Sequence, residues 1–350
     1  MRMTLWRDDA TILHPVSAAA QRHETRTRLF LRVEHDGVSG FGEIDPQPFS
    51  LNGDPGLSEV VQELDGVLLV QVRAAFEREG GIPSWTRMAR FAGSRPASSP
   101  AVCLVEMAML DRELRAQQRS IISLWEHHYE TPVQSTVSLL EHDEWSVAPD
   151  AARLRVKTSP GLVSESALER LRGLRLPVLL DFNCSATSDT EVIEQLAQFG
   201  DSVLVDAVEQ PFAAGNVVEH ARLAEQIMVP LSLDEGVRTT RDLEQIACYQ
   251  AARIVCIKPA RVGGYANARS MIARSKELGM RPYVGGFFES PFARRVNRLL
   301  AEHSTSEPGD IGDVETLDAS PDRLERVEGG FEVAPSAQTL ERSTLIATFG

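Results

Sequence analysis

Arg253-Ile-Val-Cys-Ile-Lys258 is a short apolar run that ends on a lysine, and it is the fifth of a series. Leu154-Arg-Val-Lys157, Val178-Leu-Leu-Asp181, Val203-Leu-Val-Asp206 and Val229-Pro-Leu-Ser-Leu-Asp234 precede it, and Arg281-Pro-Tyr-Val-Gly285 follows. Stretches with helical spacing lie between them, over 164–174, 189–199, 217–226, 240–248 and 266–278. Repeated strand–helix units predict a parallel sheet. A run this long, with no glycine-rich dinucleotide fingerprint at its first turn, favours a closed barrel over an open sheet.

Around this zone, which spans 131–304, the sequence changes character. In residues 1–130, Arg28-Leu-Phe-Leu-Arg-Val-Glu34 and Val38-Ser-Gly-Phe-Gly-Glu43 flank Asp36-Gly37, a hairpin signal. One helix is expected over 57–72. Another is expected from Ser98-Ser99-Pro100, where a capping residue precedes a proline in the first turn. Residues 305–350 are broken by Pro308-Gly309 and Gly329-Gly330 and end in the apolar run Thr344-Leu-Ile-Ala-Thr-Phe349, which can pack back on the first zone.

The 350 residues are 43% apolar and 25% charged, as in ordinary globular proteins, and suffice for a large barrel plus a smaller domain. The net charge of −14, without a Lys/Arg block, argues against nucleic acid as a partner. No apolar run is long enough to span a bilayer, and Trp6-Arg7-Asp8-Asp9 stands where a signal peptide would be apolar. A cytoplasmic protein is expected. Cys103, Cys184, Cys248 and Cys256 lack CxxC spacing and read as reduced thiols.

The strand ends carry the chemistry. Lys157, Asp181, Glu209, Asp234 and Lys258 follow one another at intervals of 24, 28, 25 and 24 residues, the period of a strand–helix unit. Equal phase in successive units puts these side chains on one rim, and barrel enzymes keep their sites on the C-terminal rim. Singly, each acid could be a helix cap; five matched positions argue jointly. Three converging carboxylates stay ionised only beside a cation. Hard oxygen ligands without His or Cys select Mg2+, with Mn2+ as a substitute. A carboxylate substrate on that ion would lie between two lysines whose pKa the ion can lower. The parts define proton abstraction next to a carboxylate. Glu126-His-His-Tyr-Glu130 reads as helix-end histidines and Gly263-Gly264 as a turn.

These residues resemble the enolase superfamily, in particular its muconate-lactonizing-enzyme subgroup. Arg155-Val-Lys157-Thr-Ser-Pro-Gly161 is similar to the Lys-x-Lys strand and its turn, Asp181-Phe-Asn183 to the Asp-x-Asn ligand motif, and Glu209-Gln-Pro211 to the Glu-Gln-Pro motif. Leu233-Asp234-Glu235 resembles the third-ligand strand, Ile257-Lys258-Pro-Ala-Arg-Val-Gly-Gly264 the second-lysine strand, and Gly285-Gly286-Phe-Phe-Glu289-Ser290 the segment at the seventh strand. Gly40-Phe-Gly-Glu43 and Val105-Glu106-Met-Ala-Met-Leu-Asp111 extend the likeness outside the barrel.

The resemblance implies an α/β fold: a modified TIM barrel of (β/α)7β form, with an α+β capping domain built from the N-terminal region and the C-terminal tail. It implies a Lys157/Lys258 acid/base pair, an enediolate intermediate and Mg2+ on Asp181, Glu209 and Asp234, as superfamily sites generally combine a Lys or His base with magnesium. Arg155, Asn183, Glu235, Gly286, Phe287, Glu289 and Ser290 are expected around a small carboxylate substrate, and a homo-oligomer is expected. Syn-dehydration to o-succinylbenzoate, the menaquinone-pathway reaction, leads, on the Gly285–Ser290 and Pro308–Asp310 segments. Racemisation of N-acylamino acids or epimerisation of dipeptides, muconate-type cycloisomerisation and a silent ligand-binding homologue are the alternatives. Two departures bear on the substrate: Arg155 replaces the first lysine, and Phe182 stands where a small residue is common, with Cys184 following Asn183. Specificity is expected from an early loop around 16–27.

Overall fold

The computed structural model describes residues 1–18, 21–81, 83–87, 99–125, 128–129, 132–139, 145, 147–311 and 324–350, with backbone alone at 12–18, 21–23, 133 and 138. Three strands open the chain as an antiparallel meander: β1 (Arg2–Ala18), β2 (Gln21–His35) and β3 (Val38–Ile44). Asp36 and Gly37 both take positive φ, 51° and 73°, which matches the right-handed twist of the paired strands. Of the expected loop at 16–27, residues 16–18 and 21–27 are strand instead, and β1 and β2 pair again at Val16↔His23. Side chains up to His23 lie outside the described residues, as do Ser98, Glu126, His127 and Glu130.

The helix expected over 57–72 runs farther. α1 (Leu57–Glu63) passes through one wide turn, 64–68, into α2 (Leu69–Glu79), and Gly80 stops it at φ 67°. α3 (Ser99–Ala116) then crosses β3 at contact distance. A Cβ on Gly40 would stand 2.2 Å from the Arg112 amide nitrogen, and one on Gly42 2.4 Å from the Leu104 carbonyl oxygen. The two glycines let helix backbone lie on strand backbone.

The barrel follows. β4 (Val133–Ser138), β5 (Ala151–Lys157), β6 (Val178–Asp181), β7 (Val205–Glu209), β8 (Leu231–Leu233), β9 (Ile254–Ile257) and β10 (Arg281–Val284) form one parallel sheet in chain order. Its helices are α4 (Glu165–Leu174), α5 (Asp189–Phe199), α6 (Val217–Ala224), α7 (Thr240–Tyr249), α8 (Pro259–Val262), α9 (Tyr265–Glu277) and α10 (Pro291–Glu302). Ser164, Ser188, Thr239 and Ser290 each accept a first-turn amide with their side-chain oxygen, which fixes where α4, α5, α7 and α10 start. The short α8 was not expected. β7 begins later than the apolar run predicts, because Leu204 stands outside the barrel wall and is 66% exposed.

Residues 308–310, assigned from sequence to the C-terminal segment, close the barrel instead. Asp310 N donates to Val284 O at 3.0 Å and Gly286 N to Asp310 O at 2.8 Å. On the opposite side Thr136 Oγ1 donates to Asp310 Oδ1 at 3.1 Å. An eighth, strand-like position thus lies between β10 and β4, and 304 is too early a boundary. Beyond it come β11 (Glu325–Arg326), β12 (Val333–Ala334) and α11 (Ala337–Arg342). The chain ends in β13 (Thr344–Phe349), antiparallel to β1, so the tail joins the first sheet. Among the described residues, no helix is long and apolar enough to cross a membrane.

Side-chain alternation sorts the barrel strands. Leu179, Ala207, Ile254, Cys256 and Tyr283 form a separate buried cluster within the barrel, whereas Val178, Leu180, Val208, Val255 and Ile257 pack in the main core. Asp181, Glu209 and Lys258 each lie two residues beyond an inward-facing one. They therefore share the inner face.

Two buried glutamates join the first unit to the barrel. Glu106 of α3 accepts the Tyr265 and Ala266 amides at 2.6 and 2.9 Å, at the start of α9. Glu43 of β3 accepts the Ser290 amide at 2.6 Å and the Ser290 hydroxyl at 2.5 Å, at the start of α10. Burial pushes both carboxyls up to about 7, although the Arg28 guanidinium pulls against it for Glu43 and the α9 amides for Glu106. A raised carboxyl binds its proton more tightly in the folded than in the unfolded chain. Between about pH 4.3 and 7 these groups therefore subtract stability as pH rises. Urea unfolding from pH 5 to 8 should show Glu106→Gln gaining on the wild type as pH increases; a constant offset would contradict this.

Candidate active site

Equal phase in sequence becomes equal height in the barrel. Lys157 pairs in register with Asp181, and Asp181 with Glu209. Residues just beyond β6 and β7 sit in left-handed backbone without being glycine: Asn183 at φ 45°, Cys184 at 65° and Gln210 at 37°. Local bonds hold these turns. Asn183 N donates to Asp181 Oδ1 at 2.9 Å. Gln210 Oε1 accepts the amides of Asp234 at 3.0 Å and Gly236 at 3.1 Å, which ties the end of β8 to the end of β7.

Three carboxylates converge on one atom, Arg155 Nη2. Asp181 Oδ2 stands 2.7 Å from it and Asp234 Oδ2 3.6 Å, and Glu209 Oε1 is in direct contact. Arg155 lies two residues before Lys157 on the same inner face, so its side chain rises through the barrel axis to reach them. Its Nη1 contacts Asp310 on the closing segment. Expected beside the substrate, Arg155 is occupied by acids. Glu209 also accepts the Tyr283 hydroxyl at 2.6 Å.

Three strands, β6, β7 and β8, lie between the two lysines. Lys157 Nζ donates to Asp181 Oδ2 at 2.5 Å and to Asn183 Oδ1 at 3.0 Å. Lys258 Nζ donates to Asp234 Oδ2 at 3.0 Å and lies 4.9 Å from the centre of the Phe287 ring. Gly285 makes room for that lysine, since a Cβ there would stand 2.9 Å from Lys258 Cε. The lysines differ electrostatically. Burial, with Arg155 next in effect, pushes Lys157 below the usual lysine value. Burial acts the same way on Lys258, but the Asp234 carboxylate leads the opposing charges that leave it raised.

Asp181 and Asp234 fall below the usual carboxylate range because neighbouring cations outweigh their burial, Arg155 and Lys157 for the first, Arg261 and Lys258 for the second. Glu209 differs. Burial pushes it up to about 7, and Asp181 and Asp234 reinforce that against Arg155. Glu235 accepts Asn183 Nδ2 at 3.2 Å through Oε1, while its buried Oε2 has no partner among the described residues.

The donor chemistry, three oxygen acids with one of them undercompensated, fits a hard divalent cation. Among the described residues, no group of three or more His, Cys, Asp and Glu is spaced as a ready cage. Arg155 Nη2 takes the point on which the three acids converge.

Sequence reasoning missed Arg261 and Asp54. Arg261 contacts Asp234 Oδ1 through Nη1 and binds Asp54 with Nε at 3.1 Å and Nη2 at 2.7 Å. Arg238 completes the set, 2.9 Å from Asp54 Oδ1. Asn52-Gly53 signals a turn, but nothing local says that this turn lands on the barrel mouth. Glu289 and Ser290, expected at the substrate, are bonded to other protein groups. Glu289 accepts the Phe287 amide at 2.8 Å and Asn297 Nδ2 at 3.3 Å, and Ser290 is bonded to Glu43. They shape the loop that carries Phe287. Gly286 serves the same loop, since a Cβ there would stand 2.6 Å from Glu289 Oε2.

The chain is similar to known proteins in sequence and fold. The family described as "Enolase C-terminal domain-like" matches residues 155–304. An N-succinylamino acid racemase from Amycolatopsis is 31% identical over 319 residues, 85% of this chain and 82% of the relative. An o-succinylbenzoate synthase from Enterococcus faecalis is 29% identical over 222 residues, 60% of this chain and 59% of the relative's length. The crystal structure of an enolase-superfamily member from Listeria innocua superposes with a TM-score of 0.83 at 19% identity, over 99% of this chain and 97% of that one.

Asp234 is the acid with most cationic partners to lose. Asp234→Ala leaves Lys258 and Arg261 buried with one partner fewer, and should cost about 3–5 kcal/mol in urea unfolding of the metal-stripped protein. A loss under about 1 kcal/mol would mean that these pairs behave like surface ion pairs.

Proposed function

This chain belongs to the enolase superfamily, and on that premise we propose that it removes a proton from the carbon α to a substrate carboxylate, most closely in the manner of an o-succinylbenzoate synthase. The observation that carries the reading is the pair of buried ammonium groups, Lys157 and Lys258, set on either side of three converging strand-end carboxylates. Asp181, Glu209 and Asp234 would hold a magnesium or manganese ion. When bound, such an ion supplies Lewis-acid stabilisation of negative charge developing on a carboxylate.

The protein's own groups divide the remaining work. Lys157 takes the α-proton on Nζ. Burial and Arg155 lower its affinity for a proton, so the free amine is available closer to neutral pH than in an ordinary lysine. Lys258 keeps its proton because Asp234 opposes its loss, and stands as a fixed positive charge where the enolate oxygens gather charge. Phe287 covers Lys258 and keeps water from it. One base and one fixed cation suit a dehydration on a single face.

Racemisation is the second reading. The racemase relative, aligned over 85% of this chain, favours it. It requires Lys157 and Lys258 to exchange protons on opposite faces.

Exchange in deuterated water, followed by NMR with the dehydration precursor, N-succinyl amino acids and dipeptides, separates the two. Lys157→Ala should lower α-proton exchange by about 100-fold or more while the protein stays folded. In a one-base dehydration that loss is total; in a racemase it affects one enantiomer. Persistent exchange without Lys157 removes it as the base. Chelation should abolish turnover, and full turnover without a divalent ion would overturn the ion's role. For wild type, kcat/KM should rise with pH through an ionisation below the ordinary lysine value of about 10.4, since the free amine is the reactive form.

A further inference from the structure

We propose that Arg155 is a built-in counter-ion that competes with the divalent cation for Asp181, Glu209 and Asp234, so that loading the ion requires its guanidinium to retreat. The inference deepens the reading above and rests on those three acids being the ion's ligands.

Geometry carries it. Arg155 Nη2 occupies the one point that all three carboxylates face. A cation placed there by the protein keeps the buried acids compensated when no ion is present. The position is not a closed fit, for Arg155 Nε is buried with no hydrogen-bond partner among the described residues. The side chain is also tethered at a second site, since Nη1 contacts Asp310, which Thr136 Oγ1 holds at 3.1 Å on the closing segment. That second contact offers the guanidinium a partner to keep when Nη2 withdraws. A lysine here has one nitrogen and no fork, so it cannot hold Asp310 and the three acids together. Exchange of Arg155 for lysine or methionine should therefore free the acids for an ion, methionine more fully because no like charge remains beside it.

Calorimetric titration of the metal-stripped protein with MnCl2 and MgCl2 tests this, with thermal midpoints measured before and after loading. Arg155→Met should bind Mn2+ at least about tenfold tighter than wild type, with Arg155→Lys between them. Stripped wild type should shift little in midpoint on loading. Stripped Arg155→Met should unfold at a lower temperature and recover on adding Mn2+. Should the methionine variant not fold, tighter binding by Arg155→Lys alone supports the proposal. Affinity unchanged or weaker in the variants that fold overturns it while leaving the metal reading intact. Absence of binding heat in every form overturns both.

Discussion

Three acids buried around a single nitrogen cannot all be anionic without positive charge close by. That constraint organises the barrel mouth. Arg155, Lys157, Lys258 and Arg261 all point inward to meet Asp181, Glu209 and Asp234. Even so Glu209 remains raised to about 7, a sign that compensation there is incomplete. A site poised in this way holds its acids in place around the Arg155 guanidinium.

The rest of the fold serves that cluster. The alternation of strand side chains aims every second residue at the axis, and the small interior of Leu179, Ala207, Ile254, Cys256 and Tyr283 leaves the rim to the charged groups. Left-handed backbone at Asn183, Cys184 and Gln210 lies where β6 and β7 end, so strain gathers beside the acids and is held by the bonds from Asp181 and Gln210. The first unit contributes at a distance. Asp54 engages Arg261, which engages Asp234, and Glu43 and Glu106 fasten the helices after β10 and α8. The mouth is thus a joint product of both units.

Much of this was legible from local pattern. The strand–helix period predicted the barrel, and α4, α5, α6 and α7 begin within a residue of where helical spacing starts in the sequence. Five strand-end residues were readable because register follows phase. Contacts between distant segments were not. No sequence rule sends Asp54 to Arg261, 207 residues away, or Glu43 to Ser290, 247 residues away. The same blindness hid the bonds of Glu289 to Asn297 and Ser290 to Glu43, and put Asp310 in the C-terminal tail. The partners of Arg155 were hidden for another reason. Its position pointed to the site, but only three-dimensional convergence reveals that it stands among the acids.

The central claim is that Asp181, Glu209 and Asp234 together hold a divalent ion beside Lys157 and Lys258. Anomalous diffraction from crystals grown with Mn2+ tests it most directly. The account predicts a single strong peak within coordination distance of all three carboxylates, with Arg155 Nη2 moved off that point. Crystals saturated with Mn2+ that show no peak there, with Nη2 still among the three acids, would contradict it.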